Sequence, residues 1–125
     1  MTYQPSQAEL EILQVLWDIQ PASVRSIHER ILETGKDVGY TTVLKQVQRL
    51  TDKGVLEKSV EDGVHFYRSL AGENDVKQHL ADKLMQTAFG GSALQMLMHA
   101  LGNAKTDPEE VKALKHWLDQ QFPEK

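Results

Sequence analysis

Up to Gly54 the apolar residues recur at helical spacing in three separate stretches. In the first, Leu10, Leu13, Leu16 and Trp17 follow Ser6-Gln7-Ala8-Glu9, where Ser with Glu three residues on has the form of a capping box. The spacing predicts a helix that ends near Asp18 or Ile19, ahead of Pro21. Ser23 caps a second helix, with Val24, Ile27, Ile31 and Leu32 as its buried stripe and Gly35 at its end. A third begins at Tyr40 or Thr41, turns Val43, Val47 and Leu50 inward with Leu44 beside them, and is closed by Gly54.

After Gly54 the period drops from 3.6 to 2. Val55-Leu56-Glu57-Lys58-Ser59-Val60 and Val64-His65-Phe66-Tyr67-Arg68-Ser69-Leu70 flank Glu61-Asp62-Gly63, and Asp-Gly between two β-prone runs is a strong hairpin signal. Three helices followed by a hairpin is the element order of a winged helix-turn-helix. Helical spacing then returns. Val76, Leu80, Leu84 and Met85 lie on one side of a helix from Glu73 to about Phe89, and Phe89-Gly90-Gly91-Ser92 interrupts it. Ala93 to Leu101 is apolar on much of its circumference, and Thr106-Asp107-Pro108-Glu109-Glu110 opens a last helix bearing Val111, Leu114, Trp117 and Leu118. The expected fold class is mainly α with a small β-hairpin wing: a winged helix-turn-helix DNA-binding domain over residues 1–71 and a helical region over residues 72–125.

The last three helices are too short to hide their apolar side chains in a core of their own. Either they fold back on the winged domain or they bury that surface against a partner, and an identical copy is the commonest partner. The dimerisation candidates are Val76, Leu80, Leu84, Phe89, Leu94, Leu97, Leu101, Leu114 and Trp117.

Composition narrows the function. The 125 residues carry a net charge of −4, which argues against indiscriminate coating of nucleic acid, yet Lys45, Arg49 and Lys53 make the third helix locally basic with only Asp52 opposing them. Zero cysteines exclude disulfides, thiolate metal sites and a cysteine nucleophile. The apolar runs are too short to span a bilayer and the start lacks a secretory pattern, so a cytoplasmic protein is expected. His28-Glu29 begins like the zinc-protease motif HExxH, but Leu32 stands where the second ligand belongs, and His79, His99 and His116 have no ligand spacing. Neither an enzyme nor a metal or cofactor site is expected.

The polar face of the third helix holds Thr41, Lys45, Gln48 and Asp52, flanked by Thr42, Gln46 and Arg49. Thr can touch the thymine methyl, Gln can pair with adenine, and Lys or Arg can reach guanine or phosphate. With Tyr40 at its start, and Lys58 and Arg68 on the hairpin, these form the candidate DNA-binding set: Tyr40, Thr41, Thr42, Lys45, Gln46, Gln48, Arg49, Lys58 and Arg68. The hairpin tip, Glu61-Asp62-Gly63, repels phosphate, so any wing contact must come from Lys58, His65 or Arg68 along the strands. The competing readings are a solvated helix face and a winged-helix module that binds proteins.

Several stretches together resemble the BlaI/MecI/CopY family of bacterial repressors. They are Glu9-Leu10-Glu11-Ile12-Leu13-Gln14-Val15-Leu16-Trp17, Pro21-Ala22-Ser23-Val24-Arg25, Tyr40-Thr41-Thr42-Val43-Leu44 with Gln48-Arg49-Leu50 and Lys53-Gly54, Tyr67-Arg68, and Phe89-Gly90-Gly91-Ser92. The resemblance implies a homodimeric repressor that binds a palindromic double-stranded DNA operator, with Thr41, Thr42 and Lys45 in the base-contacting segment. It also implies a sensor protease as a partner, cutting an Asn-Phe bond. The ungapped counterpart of that bond here is His99-Ala100, and Gly102-Asn103-Ala104-Lys105-Thr106 is the candidate exposed linker for any other cut. The C-terminal cysteine motif of copper-sensing members is absent.

Overall fold

The computed structural model describes residues 3–102 and 105–124. Among them the elements run α1 (Gln7–Ile19), α2 (Val24–Glu33), α3 (Tyr40–Asp52), β1 (Leu56–Glu61), β2 (Val64–Ser69), α4 (Glu73–Ala88), α5 (Ala93–Leu101) and α6 (Pro108–Gln121). The fold is mainly helical with a two-stranded antiparallel wing.

The capping box at the start of α1 forms as its residue types dictate. The Ser6 hydroxyl accepts the Glu9 N–H at 3.2 Å, and the Glu9 carboxylate accepts the Ser6 N–H at 2.9 Å. Ser23 does the first half of this for α2, accepting the Ser26 N–H at 3.2 Å. Gly54, with φ of 80°, takes the left-handed conformation that ends α3 and turns the chain into the wing.

Ile12, Leu13 and Leu16 of α1, Ile27 of α2, and Val43, Val47 and Leu50 of α3 are fully enclosed, and Val55, Leu56 and Tyr67 extend this core to the root of the wing. That root is tied a second time, because Tyr67 exchanges backbone hydrogen bonds of 2.8 and 3.0 Å with Ala22, just ahead of α2. Leu32 departs from its expected place in the α2 stripe and is 42% exposed. One residue beyond Ile31, it is rotated by about 100° off the buried line of Val24, Ile27 and Ile31.

One compact unit extends to Leu80 and a second begins at Ala81. The first turns of α4 thus group with the head, where the Trp17 indole N–H donates to the Ala71 carbonyl at 3.1 Å and Lys77 lies 6.0 Å from the Trp17 ring. Val76, expected at a partner interface, is already buried, which removes it from any surface a second chain could reach. In the second unit α5 starts at Ser92, whose hydroxyl accepts the Gln95 N–H, and α6 at Asp107, which accepts the Glu109 N–H. Neither α5 nor α6 contains a buried residue. Asn103 and Ala104 of the candidate linker lie outside the described residues.

Glu9 does more than cap α1, because Lys53 at the end of α3 meets its carboxylate at 3.0 Å. Burial acts to raise the Glu9 pKa, but the hydrogen bonds from Ser6 and Lys53 and the Lys53 charge outweigh it and hold the group below its ordinary value of 4.5. A depressed folded-state pKa stabilises the fold above the unfolded-state value, and the contribution is lost as pH falls through the folded-state value. Glu9→Gln should therefore lower the urea midpoint at pH 7, and the gap to the parent protein should close as the pH is taken well below 4.5. A gap independent of pH would contradict this role for the carboxylate.

Candidate nucleic-acid interface

The enclosure of Val43, Val47 and Leu50 fixes the rotation of α3, and Thr41, Thr42, Lys45, Gln48 and Arg49 consequently face solvent. Gln46 is half-buried at one flank, in a cleft with Ser6, Glu9, Arg49 and Lys53. Tyr40 is exposed but committed to packing: its ring meets His28 edge-on, with centroids 5.8 Å apart. The His28 Nε2 donates to the Val38 carbonyl at 2.7 Å and so pins the turn that leads into α3.

The wing separates the two cations assigned to it from sequence. Its turn has no spare residue: Asp62 and Gly63 take positive φ of 50° and 78°, the type I′ pattern that matches strand twist. Lys58 pairs with Tyr67 and Val60 with His65, whereas Glu57 pairs with Arg68 and Ser59 with Phe66. Opposed residues share a face and alternate pairs point to opposite faces. The face bearing Lys58, His65 and Tyr67 borders a cleft with Gln48, Thr51 and Asp52 of α3. Arg68 is on the other face, opposite Glu57, and the structure does not bring it to α3. Burial, and secondarily the neighbouring Tyr40, push the Tyr67 phenol above its ordinary pKa, so it stays a neutral hydroxyl.

The head sorts its cations by location. Arg25 pairs with Glu29, Arg30 with Asp18, Lys36 with Glu11, Lys53 with Glu9 and Lys77 with Glu73. Lys45, Arg49, Lys58 and Arg68 have no ion-pair partner among the described residues, and all four lie on α3 or the wing.

Arg25 was absent from the set drawn from sequence, and His65 was named only as one of three alternative wing contacts. Arg25 lies in the first turn of α2 and shares a groove with Tyr40 and His65. The signal for Arg25 was its charge, since a cation at the positive end of a helix is unfavourable unless something compensates it. The signal for His65 was register: a two-residue Asp-Gly turn places it on the same face as Lys58.

A family model described as penicillinase repressor matches residues 5–120. The chain belongs to the penicillinase repressor family. Its members are DNA-binding transcriptional repressors and not enzymes. The chain is 31% identical over 112 residues to the transcriptional regulator BlaI of Mycobacterium tuberculosis, covering 88% of this chain and 79% of that one. It is 25% identical over 118 residues to the methicillin resistance regulatory protein MecI of Staphylococcus aureus, covering 94% and 95%. The solved structure of monomeric BlaI from Bacillus licheniformis in complex with the blaP half-operator matches with a TM-score of 0.52 and 27% identity, over 60% of this chain and 90% of that one. A MarR family protein from Bacillus stearothermophilus, 16% identical with a TM-score of 0.57 over 95% of this chain and 74% of that one, shares the fold.

The registers of the wing divide the expected effects of this penicillinase repressor family member's two hairpin cations. Lys58→Ala should weaken binding to all duplex sequences alike and reduce the salt slope by about one unit, as loss of a phosphate contact does. Arg68→Ala should change both far less. Binding titrations across a salt series would show the reverse order if the wing met DNA with its outer face.

Proposed function

We propose that this repressor acts in the cytoplasm as a homodimer, each winged head laying α3 in the major groove of one half of a palindromic promoter operator. The observation that carries the reading is the segregation of unpaired cations onto α3 and the wing. A 13-residue helix is about 20 Å long and presents its first turns to base edges when it enters a groove about 12 Å wide. Thr41, Thr42 and Lys45 in those turns, with Gln48 one turn further on, read bases. Arg49 and Lys58 neutralise phosphate, and Gln46 and Tyr40 hold the helix at its flanks. The half-operator bound by the monomeric BlaI relative is in keeping with one head per half-site.

The apolar surface that the second unit leaves uncovered supports the dimer reading. Leu94 is 67% exposed, Trp117 52% and Phe122 71%, and Leu84, Leu97 and Leu101 are exposed with them. A leucine removed from water stabilises by roughly 1.5 to 3 kcal/mol, so several across a two-fold interface outweigh the cost of association. Phe89 and Leu114, both half-buried, complete the proposed surface within this unit, and Leu80, also half-buried, ends the first unit. Tethering two heads then raises operator affinity well above that of a single head. Release by a sensor protease would need a bond other than Asn-Phe, since His99-Ala100 occupies the corresponding position and the His99 ring packs 5.4 Å from that of Phe89.

Selecting bound sequences from random duplex DNA tests the reading as a whole, and a palindromic consensus is the expected outcome. Lys45→Ala should then change the preferred base at one position in each half-site, with a loss of about 1 to 3 kcal/mol on the parent sequence. Selection that recovers no consensus would favour the protein-binding alternative. Sedimentation equilibrium should show a dimer at micromolar concentration, and Leu94→Asp should shift it to monomer and weaken operator binding together. A Leu94→Asp protein that stayed dimeric would place the interface elsewhere.

A further inference from the structure

A groove of about 380 Å³ lies between the start of α2, the first turns of α3 and the wing, inside the range of roughly 300 to 1,000 Å³ usual for small-molecule sites. Although the protein is acidic, no carboxylate among the described residues lines it. Val24, Leu44 and Val64 give it an apolar wall, and Arg25, Tyr40 and Tyr67 supply donors.

Tyr67 is only 4% exposed, yet its hydroxyl has no hydrogen-bond partner among the described residues. Nor is that oxygen sealed in the core, because the enclosed side-chain polar atom without a partner among those residues belongs to Tyr3. Tyr40, whose charge acts on the Tyr67 phenol, lines this groove and not the neighbouring cleft with Gln48 and Asp52, so the hydroxyl opens here. A hydroxyl held in a buried residue without a partner costs stability until something bonds it. Arg25 has the complementary problem. It stands in the first turn of α2, where the helix dipole disfavours a cation, and its pair with Glu29 at 3.4 Å is exposed and screened by water. Ser23 accepts the Ser26 N–H, which leaves the N–H groups of Val24 and Arg25 without a cap bond at the same end.

We propose that this groove binds a small carboxylate with an aromatic or branched apolar body, and that the bound molecule displaces DNA from the face between α3 and the wing. The carboxylate accepts from the Arg25 guanidinium and the open end of α2, the Tyr67 hydroxyl donates to one of its oxygens, and its body covers Val24, Leu44 and Val64. A bare phosphate would meet the donors and leave the apolar wall wet, so an amphipathic anion fits the groove better than a nucleic-acid backbone does. Displacement depends on the reading of α3 and this wing face as the DNA interface.

Sodium benzoate is the probe, with uncharged benzamide as its control. In proton–nitrogen correlation spectra of the full-length protein at about pH 7, where benzoate is ionised, it should shift the amide signals of Arg25, Tyr40, Leu44 and Gly63 saturably, and benzamide should not. Arg25→Ala should weaken benzoate binding about tenfold or more, as loss of a charge-assisted hydrogen bond does. Tyr67→Phe keeps the ring and removes the hydroxyl, and should weaken it by roughly twofold to tenfold. Shifts centred on other elements, an equal response to benzamide, or unchanged affinity in both variants would overturn the site. For a fluorescein-labelled random-sequence duplex, benzoate at its own dissociation constant should about halve the affinity relative to sodium chloride at the same ionic strength, as competition requires. Benzoate seated in the groove with no loss of duplex affinity would uphold the site and overturn displacement. A parent protein that binds no duplex would overturn the DNA-interface reading, and the shift titration would still decide the site.

Discussion

The rotation of one helix governs the rest of the head. Val43, Val47 and Leu50 are enclosed against α1, α2 and the base of the wing, and no other setting of α3 buries all three. A change of one residue in that packing would turn the helix by about 100° and swing the Thr, Lys and Gln side chains out of line with the wing. The flanking contacts serve the same end. His28 and Tyr40 fix the entry to α3, Lys53 and Glu9 fix its exit against α1, and Gly54 lets the chain leave at once for the strands. Recognition chemistry on a solvated face is thus oriented from beneath, by apolar contacts that never meet the ligand.

Charge is distributed on the same plan. An acidic protein approaches a polyanion productively only if its cations are concentrated where contact occurs and its acids are occupied elsewhere. Asp18, Glu11, Glu9, Glu29 and Glu73 each engage a cation within the head, away from the exposed centre of α3. Apart from the Glu9 pair, whose carboxylate is largely buried, such exposed pairs add little to stability. Their effect is to keep long-range repulsion low on a surface whose net charge would otherwise oppose association. The Lys53 and Glu9 pair sits close to Arg49, which leaves Arg49 as the unpaired cation of that flank.

Most of the head was legible in the sequence because its signals are local. The capping box, the Asp-Gly turn and the helix-ending Gly54 each act within a few residues, and each forms as its residue types require. The exposed set on α3 follows from periodicity alone. What could not be read depends on pairing between elements. Arg68 and Lys58 are both cationic and both exposed, and only the strand register puts them on opposite faces. Leu32 continues the apolar composition of α2 but not its stripe. Val76 carries the spacing of an interface helix, yet is buried by its own chain, and its burial shows only once α4 is built. Arg25 belongs to the groove through neighbours 15 and more residues away in sequence, Tyr40 and His65, which no local pattern reports.

The conformation of the hairpin tip also channels how this protein can diverge. Asp62, with φ of 50°, occupies a backbone region that Asn, Asp and Gly tolerate and most other residues resist. A single-base route to Asn would remove its charge and leave the turn intact, whereas a Lys or Arg there would gain attraction for phosphate only at the expense of backbone strain. Val60 lies in β1 on the face of Lys58 and under no such restriction. Evolution toward a more adhesive wing would therefore pass through the strand position first, and descendants that differ in operator affinity should carry their cations at 60 more readily than at 62.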